Sequence, residues 1–169
     1  MGIRYYAYAY DAADTQVALD DPRRILSSDP LADAWGMQPH ASVGTPTFAQ
    51  ALPRRDMLYL DKAWSALQAM TAPAIRDRPR AAFRMFEGRV THHSDGWDAW
   101  VRTILPQEVP AIRDDLDRLA RAESERRVAV EGAEADSDVD GYVLHYLRSA
   151  RDFVTGLAVD GRGMVYMIG

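Results

Sequence analysis

The chain has 169 residues, 47% of them apolar and 27% charged, with no cysteine and a net charge of −5. A chain of this length forms one domain with a core that needs no covalent staple, and the missing thiols exclude disulfide scaffolds, zinc ribbons, iron–sulfur clusters and cysteine nucleophiles. The acidic balance disfavours nucleic-acid binding through a broad basic surface, although Arg76, Arg78, Arg80, Arg84 and Arg89 make one local basic stretch.

The opening residues alternate Ile3, Tyr5, Ala7 and Ala9 against Arg4, Tyr6, Tyr8 and Tyr10, a period of two in strand-forming residues. This predicts a strand. No basic leader with an apolar centre precedes it, and no apolar run approaches the length of a membrane span, so a cytoplasmic location is expected. Asp14 is placed to cap a short helix carrying Val17 and Leu19, and another turn begins near Pro22. Asp29-Pro30 marks a further helix start, with Leu31, Ala34 and Trp35 on one side and Gly36 closing it. From there to Asp56 the sequence lacks periodicity and predicts a long irregular connection.

Asp61 reads as the N-cap of a helix running to about Met70, with Leu60, Trp64 and Leu67 on one face and Pro73 ending it. Phe83 to Thr91 fits a hairpin turning on Glu87-Gly88. Pro106 suits the first position of the next helix, which presents Val109, Ile112, Leu116 and Leu119 and reaches Arg121 or beyond. On its wet side Asp114 is four residues from Arg118, and Asp117 four from Arg121. Residues 123–140 are charged and predict a frayed helix end and an acidic loop. The last helix, about 141–157, lines up Tyr142, Tyr146, Ala150, Phe153 and Leu157, with Val143, Leu147 and Val154 beside them. Asp160-Gly161 turns the chain into a buried closing strand, Met164 to Ile168. Strands at both ends with helices between them predict an α+β fold, a single compact domain with helices packed on a small mixed or antiparallel sheet that includes both terminal strands.

Motifs of known chemistry are incomplete. Asp136, Asp138, Asp140 and Gly141 match the first half of a calcium loop, but its twelfth position is Leu147 where a bidentate carboxylate belongs. His92, His93 and Asp95 need a third ligand such as His40 from afar, so no metal site is expected. His145, Ser149 and Asp152 carry the residue types of a catalytic triad, yet residues seven apart on one helix are separated by about 10 Å and do not form a relay. The four tryptophans, Trp35, Trp64, Trp97 and Trp100, read as core. No cofactor motif is present.

Nineteen of the twenty basic residues are arginine, and the exception, Lys62, stands in the apolar stretch Leu58-Tyr59-Leu60-Asp61-Lys62-Ala63-Trp64. In the first turn of a helix a lysine meets the positive end of the dipole, which calls for a local compensating carboxylate or set of carbonyls. This stretch resembles the Leu-Asp-Lys-x-Trp helix start of the YfbM-like proteins, a bacterial family of unknown function. The Met1-Gly2-Ile3 opening, the segment Val101-Arg102-Thr103-Ile104-Leu105-Pro106-Gln107-Glu108-Val109 and the closing helix and strand from Tyr142 to Ile168 are similar to that family as well. The resemblance implies a compact α+β domain, and it carries over Asp61, Lys62, Trp64 and Arg102 without assigning them a role. Where family members often carry histidines, this chain has Ser65 and Gln68, so a metal or acid–base role built on those imidazoles is not expected.

Asp61, Lys62 and Arg102 are charges beside strongly apolar sequence, and such charges need partners among themselves or in a ligand. The expectation is a non-catalytic cytoplasmic binding or interaction protein whose surface includes Asp61, Lys62, Trp64 and Arg102 and whose partner is another protein or a small acidic ligand. The bland alternative is an internal ion-pair cluster. Two further readings are an enzyme acting on a phosphorylated or nucleotide-like substrate, and an immunity-type inhibitor of a toxin presenting Glu131, Glu134, Asp136, Asp138 and Asp140.

Overall fold

The computed structural model describes residues 2–40, 45–73, 77–130 and 138–169, with the backbone alone at 127–130 and 138–140. Its centre is β1, Tyr5–Tyr10, paired on one side with β2, Met57–Asp61, and on the other with β6, Gly163–Ile168. β5, Trp100–Ile104, completes an antiparallel sheet of order β2-β1-β6-β5. The fold is α+β, and both terminal strands lie at the centre of the sheet. The alternation read in the first residues is real on both faces. Tyr5 and Ala7 enter one core cluster, while Tyr6, Tyr8 and Tyr10 enter two smaller ones on the opposite side.

The larger core holds α3, Trp64–Thr71, and the long helices α4, Val109–Val130, and α5, Asp138–Asp160. Val109, Ile112, Leu116 and Leu119 of α4 meet Leu147, Ala150, Phe153, Val154 and Leu157 of α5 there, as their spacing predicted. Leu144 joins them, whereas Tyr142 stays 36% exposed at the rim. The opposite face is covered by α1, Thr15–Asp20, and α2, Pro30–Trp35. Asp29 caps α2 by accepting from the Ala32 N–H at 3.1 Å, and Gly36 closes it with φ +61°.

Several expectations need correction. Leu58 to Asp61 form a strand, not the approach to a helix, because Leu58 and Leu60 are buried in the larger core while Met57 and Tyr59 face the smaller one. Asp61 is therefore no N-cap: α3 begins at Trp64 behind Ala63. The hairpin does not turn on Glu87-Gly88. A 3₁₀ turn occupies Ala81–Met85, and the hairpin is β3, Thr91–His93, with β4, Gly96–Asp98. Carbonyls of this irregular segment are met from below: the Tyr5 hydroxyl donates to Met85 O, the Tyr166 hydroxyl to Glu87 O, and the Gln68 amide to Phe86 O and Gly88 O. α4 starts at Val109, three residues after Pro106, and Glu108 reaches back to accept the Leu105 N–H at 2.8 Å.

The predicted i,i+4 pairs on α4 are replaced by others. Asp114 pairs with Arg113, while Arg118 turns to Asp115. Asp115, 3% exposed, accepts a two-pronged contact from Arg80 and the Ala82 N–H, fastening the 3₁₀ turn to α4. The tryptophans divide: Trp35 and Trp64 pack against core clusters, whereas Trp97 and Trp100 are 40% and 36% exposed, because β3, β4 and the start of β5 have no layer over them. Among the described residues no helix is long and apolar enough to cross a membrane.

Candidate functional site

β2 departs from regular pairing at its end. Tyr5 faces Asp61 while Tyr6 faces Tyr59, so Leu60 is the extra residue of a bulge, and Asp61 takes a left-handed φ of +46°. Aspartate tolerates that conformation better than most side chains. The bulge turns the Asp61 carboxylate into a ring of donors. Arg4 Nε and the Tyr59 hydroxyl donate to Oδ1 at 3.0 and 2.9 Å, and the Tyr142 hydroxyl donates to Oδ2 at 2.9 Å. Tyr59 in turn accepts from Trp35 Nε1 at 3.2 Å, and the Arg4 guanidinium lies 5.3 Å from the centre of the Trp35 ring. Burial pushes the Asp61 carboxyl up, but the bonds from Tyr142 and Tyr59 and the charge of Arg4 outweigh it and hold the group below its ordinary value. The Tyr142 phenol is pushed up to about 12 by burial and by its bond to Asp61.

The sequence-predicted residues do not form one cluster. Asp61 ends β2 and Arg102 lies in β5, the two opposite edges of the sheet, about 14 Å apart at three strand spacings. Arg102 pairs with Glu87, which Arg84 also contacts at 3.1 Å while holding Glu108 at 2.9 Å. Burial raises the Glu87 carboxyl against the opposing pull of Arg84. Trp64 is half-buried at the start of α3 and donates to Ile3 O at 3.4 Å. Lys62 is exposed, precedes the helix and enters no ion pair among the described residues, its stem lying against Gly2. The helix-dipole cost inferred from the sequence does not arise. Lys62→Ala is accordingly expected to change stability by less than about 0.5 kcal/mol, and a thermal melt that falls by several degrees would show a structural contact instead.

A cleft of about 440 Å³ opens beside the Asp61 ring, between β2 and α5. Its floor is Met57, Leu58 and Tyr59 of the strand. One wall is the α5 face carrying His145, Tyr146, Ser149 and Asp152, and the other is the loop residues Phe48, Gln50, Arg54 and Arg55. The Asp61 ring builds two of these surfaces, since Tyr59 bonds it directly and Tyr146 packs edge-on against Tyr142 at 4.9 Å. Phe48 is 73% exposed with φ +55°, an αL backbone that costs an ordinary side chain about 1–2 kcal/mol. Its N–H is held by Trp35 O at 3.0 Å and its ring leans on Trp35 at 5.6 Å.

His145, Ser149 and Asp152 all line this cleft, and the polar groups of Ser149 and Asp152 are engaged elsewhere than with one another or with the His145 side chain. Ser149 donates to the backbone oxygen of His145 at 3.1 Å, and Asp152 is engaged by its neighbour Arg151. His93 pairs with Asp98 on the hairpin, and His40 sits by Asp29 and Ser28. No group of three His, Asp or Glu able to hold a metal occurs among the described residues. Of the calcium half-loop and the acidic patch, Glu131, Glu134 and Asp136 lie outside the described residues, as do the side chains of Asp138 and Asp140. Reading the sequence missed Phe48, Arg54, Arg55 and the partners of Asp61, because the 45–56 loop has no periodicity and Arg4, Tyr59 and Tyr142 meet Asp61 only through tertiary packing.

The chain is an α+β arrangement, with helices on both faces of a four-stranded sheet and a cleft at one edge. The chain is similar to the crystal structure of YfbM, a protein of unknown function from Escherichia coli, at 16% identity over 99% of this chain and 100% of that one, with a TM-score of 0.45. YfbM gives its name to the group that the sequence motifs resemble. No protein-family profile matches the chain, and no curated protein matches it.

Proposed function

We propose that this is a non-catalytic binding or interaction protein whose ligand enters the cleft between β2 and α5. The observation that carries this reading is the cleft itself: about 440 Å³ is a volume suited to a ligand, and its lining offers aromatic surface beside cationic side chains without a nucleophile–base relay. The enzymatic alternative asks for a base and a free electrostatic stabiliser. Asp61 already accepts from three donors, and of the two candidate stabilisers Arg102 is spent on Glu87 while Lys62, though without an ion pair among the described residues, does not line the cleft. The ring around Asp61 serves instead as a rigid wall for the cleft.

Small aromatic carboxylates, benzoate and indole-3-acetate among them, titrated into the ¹⁵N-labelled protein should shift the amides of Leu58, Tyr59 and residues 145–156. Shifts confined to the Arg84–Glu108 side of the molecule, or none at all, would overturn the assignment.

A further inference from the structure

β2 is an edge strand, and its ladder determines which backbone groups face the cleft. The Ala9 N–H donates to Asp56 O at 2.9 Å, and Ala7 pairs with Leu58. Antiparallel alternation then turns the N–H and C=O of Met57 and Tyr59 away from β1. Those of Met57 are occupied, the N–H by Pro53 O and the C=O by the Gln50 amide, both at 3.1 Å. Those of Tyr59 have no partner among the described residues. A strand edge left open in this way is a template for another chain unless it is covered, and α5 stands beside it across the cleft without covering it.

Charge selects the occupant. The protein is acidic overall, with a net charge of −5, yet the loop at the N-terminal end of β2 presents Arg54 and Arg55, both exposed. Arg54 has no acidic partner among the described residues, and Arg55 meets only Asp56, at 3.6 Å. Every pair in this sheet is antiparallel. A chain added to β2 in the same sense runs toward Pro53, which brings its C-terminal side to the two arginines.

We propose that the cleft binds an extended segment of a partner protein, which pairs antiparallel with β2 through the Tyr59 backbone and presents Asp or Glu side chains on its C-terminal side to Arg54 and Arg55. This rests on the β2–α5 cleft being the binding site and names the chemistry of its ligand. Main-chain bonds supply affinity and alternate side chains pack on the Phe48 and Tyr146 surfaces, the mode of recognition known as strand addition.

The test is selection on the intact protein from a displayed library of random ten-residue peptides, followed by fluorescence polarisation with the enriched peptides synthesised as C-terminal amides. Enriched peptides should carry Asp or Glu in their C-terminal half. Their affinity should fall at least tenfold in the Arg54→Glu/Arg55→Glu protein, whose unchanged melting curve shows that it is folded. It should fall similarly when the peptide amide facing Tyr59 is N-methylated. No enrichment, acidic residues concentrated in the N-terminal half, binding that survives the double charge reversal within twofold, or a dimer of this chain paired through β2 would each overturn the proposal. If small aromatic acids shift the cleft amides while no peptide is enriched, strand addition fails and the cleft reading stands. If neither probe reaches the cleft, both fail.

Discussion

Asp115→Ala should lower stability by about 2–4 kcal/mol, which for a domain of this size is a fall in melting temperature of roughly 5–15 °C. The carboxylate is nearly excluded from water and is shared between the Arg80 guanidinium and the Ala82 N–H. Its removal leaves a buried amide without an acceptor and releases the 3₁₀ turn that the Tyr5 and Tyr166 hydroxyls also hold through Met85 O and Arg84 O. Asp115→Asn keeps an acceptor for Ala82 and should recover part of the loss. The wild-type contribution depends on pH in a definite sense. Burial raises the Asp115 carboxyl, but the bonds from Arg80 and Ala82 outweigh it, so the folded group titrates below its ordinary 3.8. Its stabilisation is complete above that value and disappears as the pH falls through the lower folded value. Urea midpoints of wild type and Asp115→Ala should therefore converge as pH falls below about 4. A constant gap would show that packing, not charge, supports the turn.

The second large effect is expected at Asp61. Asp61→Ala removes the acceptor for Arg4, Tyr59 and Tyr142 and places alanine at φ +46°, where its Cβ is strained. The expected cost is about 2–3 kcal/mol, read as a shift of the denaturation midpoint. Asp61→Asn tolerates the backbone and keeps one acceptor, so it should retain about half of that. The pair separates conformation from charge: equal losses would mean that the carboxylate charge is what matters. Because Tyr59 and Tyr146 shape the cleft, the alanine variant should also broaden the cleft amides in NMR spectra, an effect absent from Lys62→Ala.

How much of this was legible in the sequence differs from element to element for physical reasons. The long helices were readable because α4 and α5 bury one stripe each, and a 3.6-residue period survives in the residues themselves. The terminal strands were readable for the same kind of reason, an alternation or a short apolar run next to a turn. β2 and β5 were not, because each is short and abuts sequence that reads as helix or loop. Leu58-Tyr59-Leu60 supplies apolar residues that suit either assignment. Asp61 stands out as a charge in an apolar stretch, but where the sequence suggests a cap the structure has a bulge and a positive φ, features that residue type does not encode. Arg102 was singled out for the same reason and sits on the far edge of the sheet. Sequence proximity to apolar residues says that a charge needs a partner, and only the fold says which one.

The position of β6 bears on how this molecule comes to be folded. The last strand lies between β1 and β5, and Arg4 exchanges both main-chain bonds with Gly169. β1 therefore keeps two apolar faces and one unfilled side until β6, distant in the sequence, pairs with it. Closing so long a loop is entropically slow, and the unfilled side of β1 is open to pairing with another nascent chain in the interval. Pairing of β6 with β1 is thus expected to be a late step of folding, and a chaperone that shields β1 is expected to raise the yield of native molecules more than one that acts on the helices.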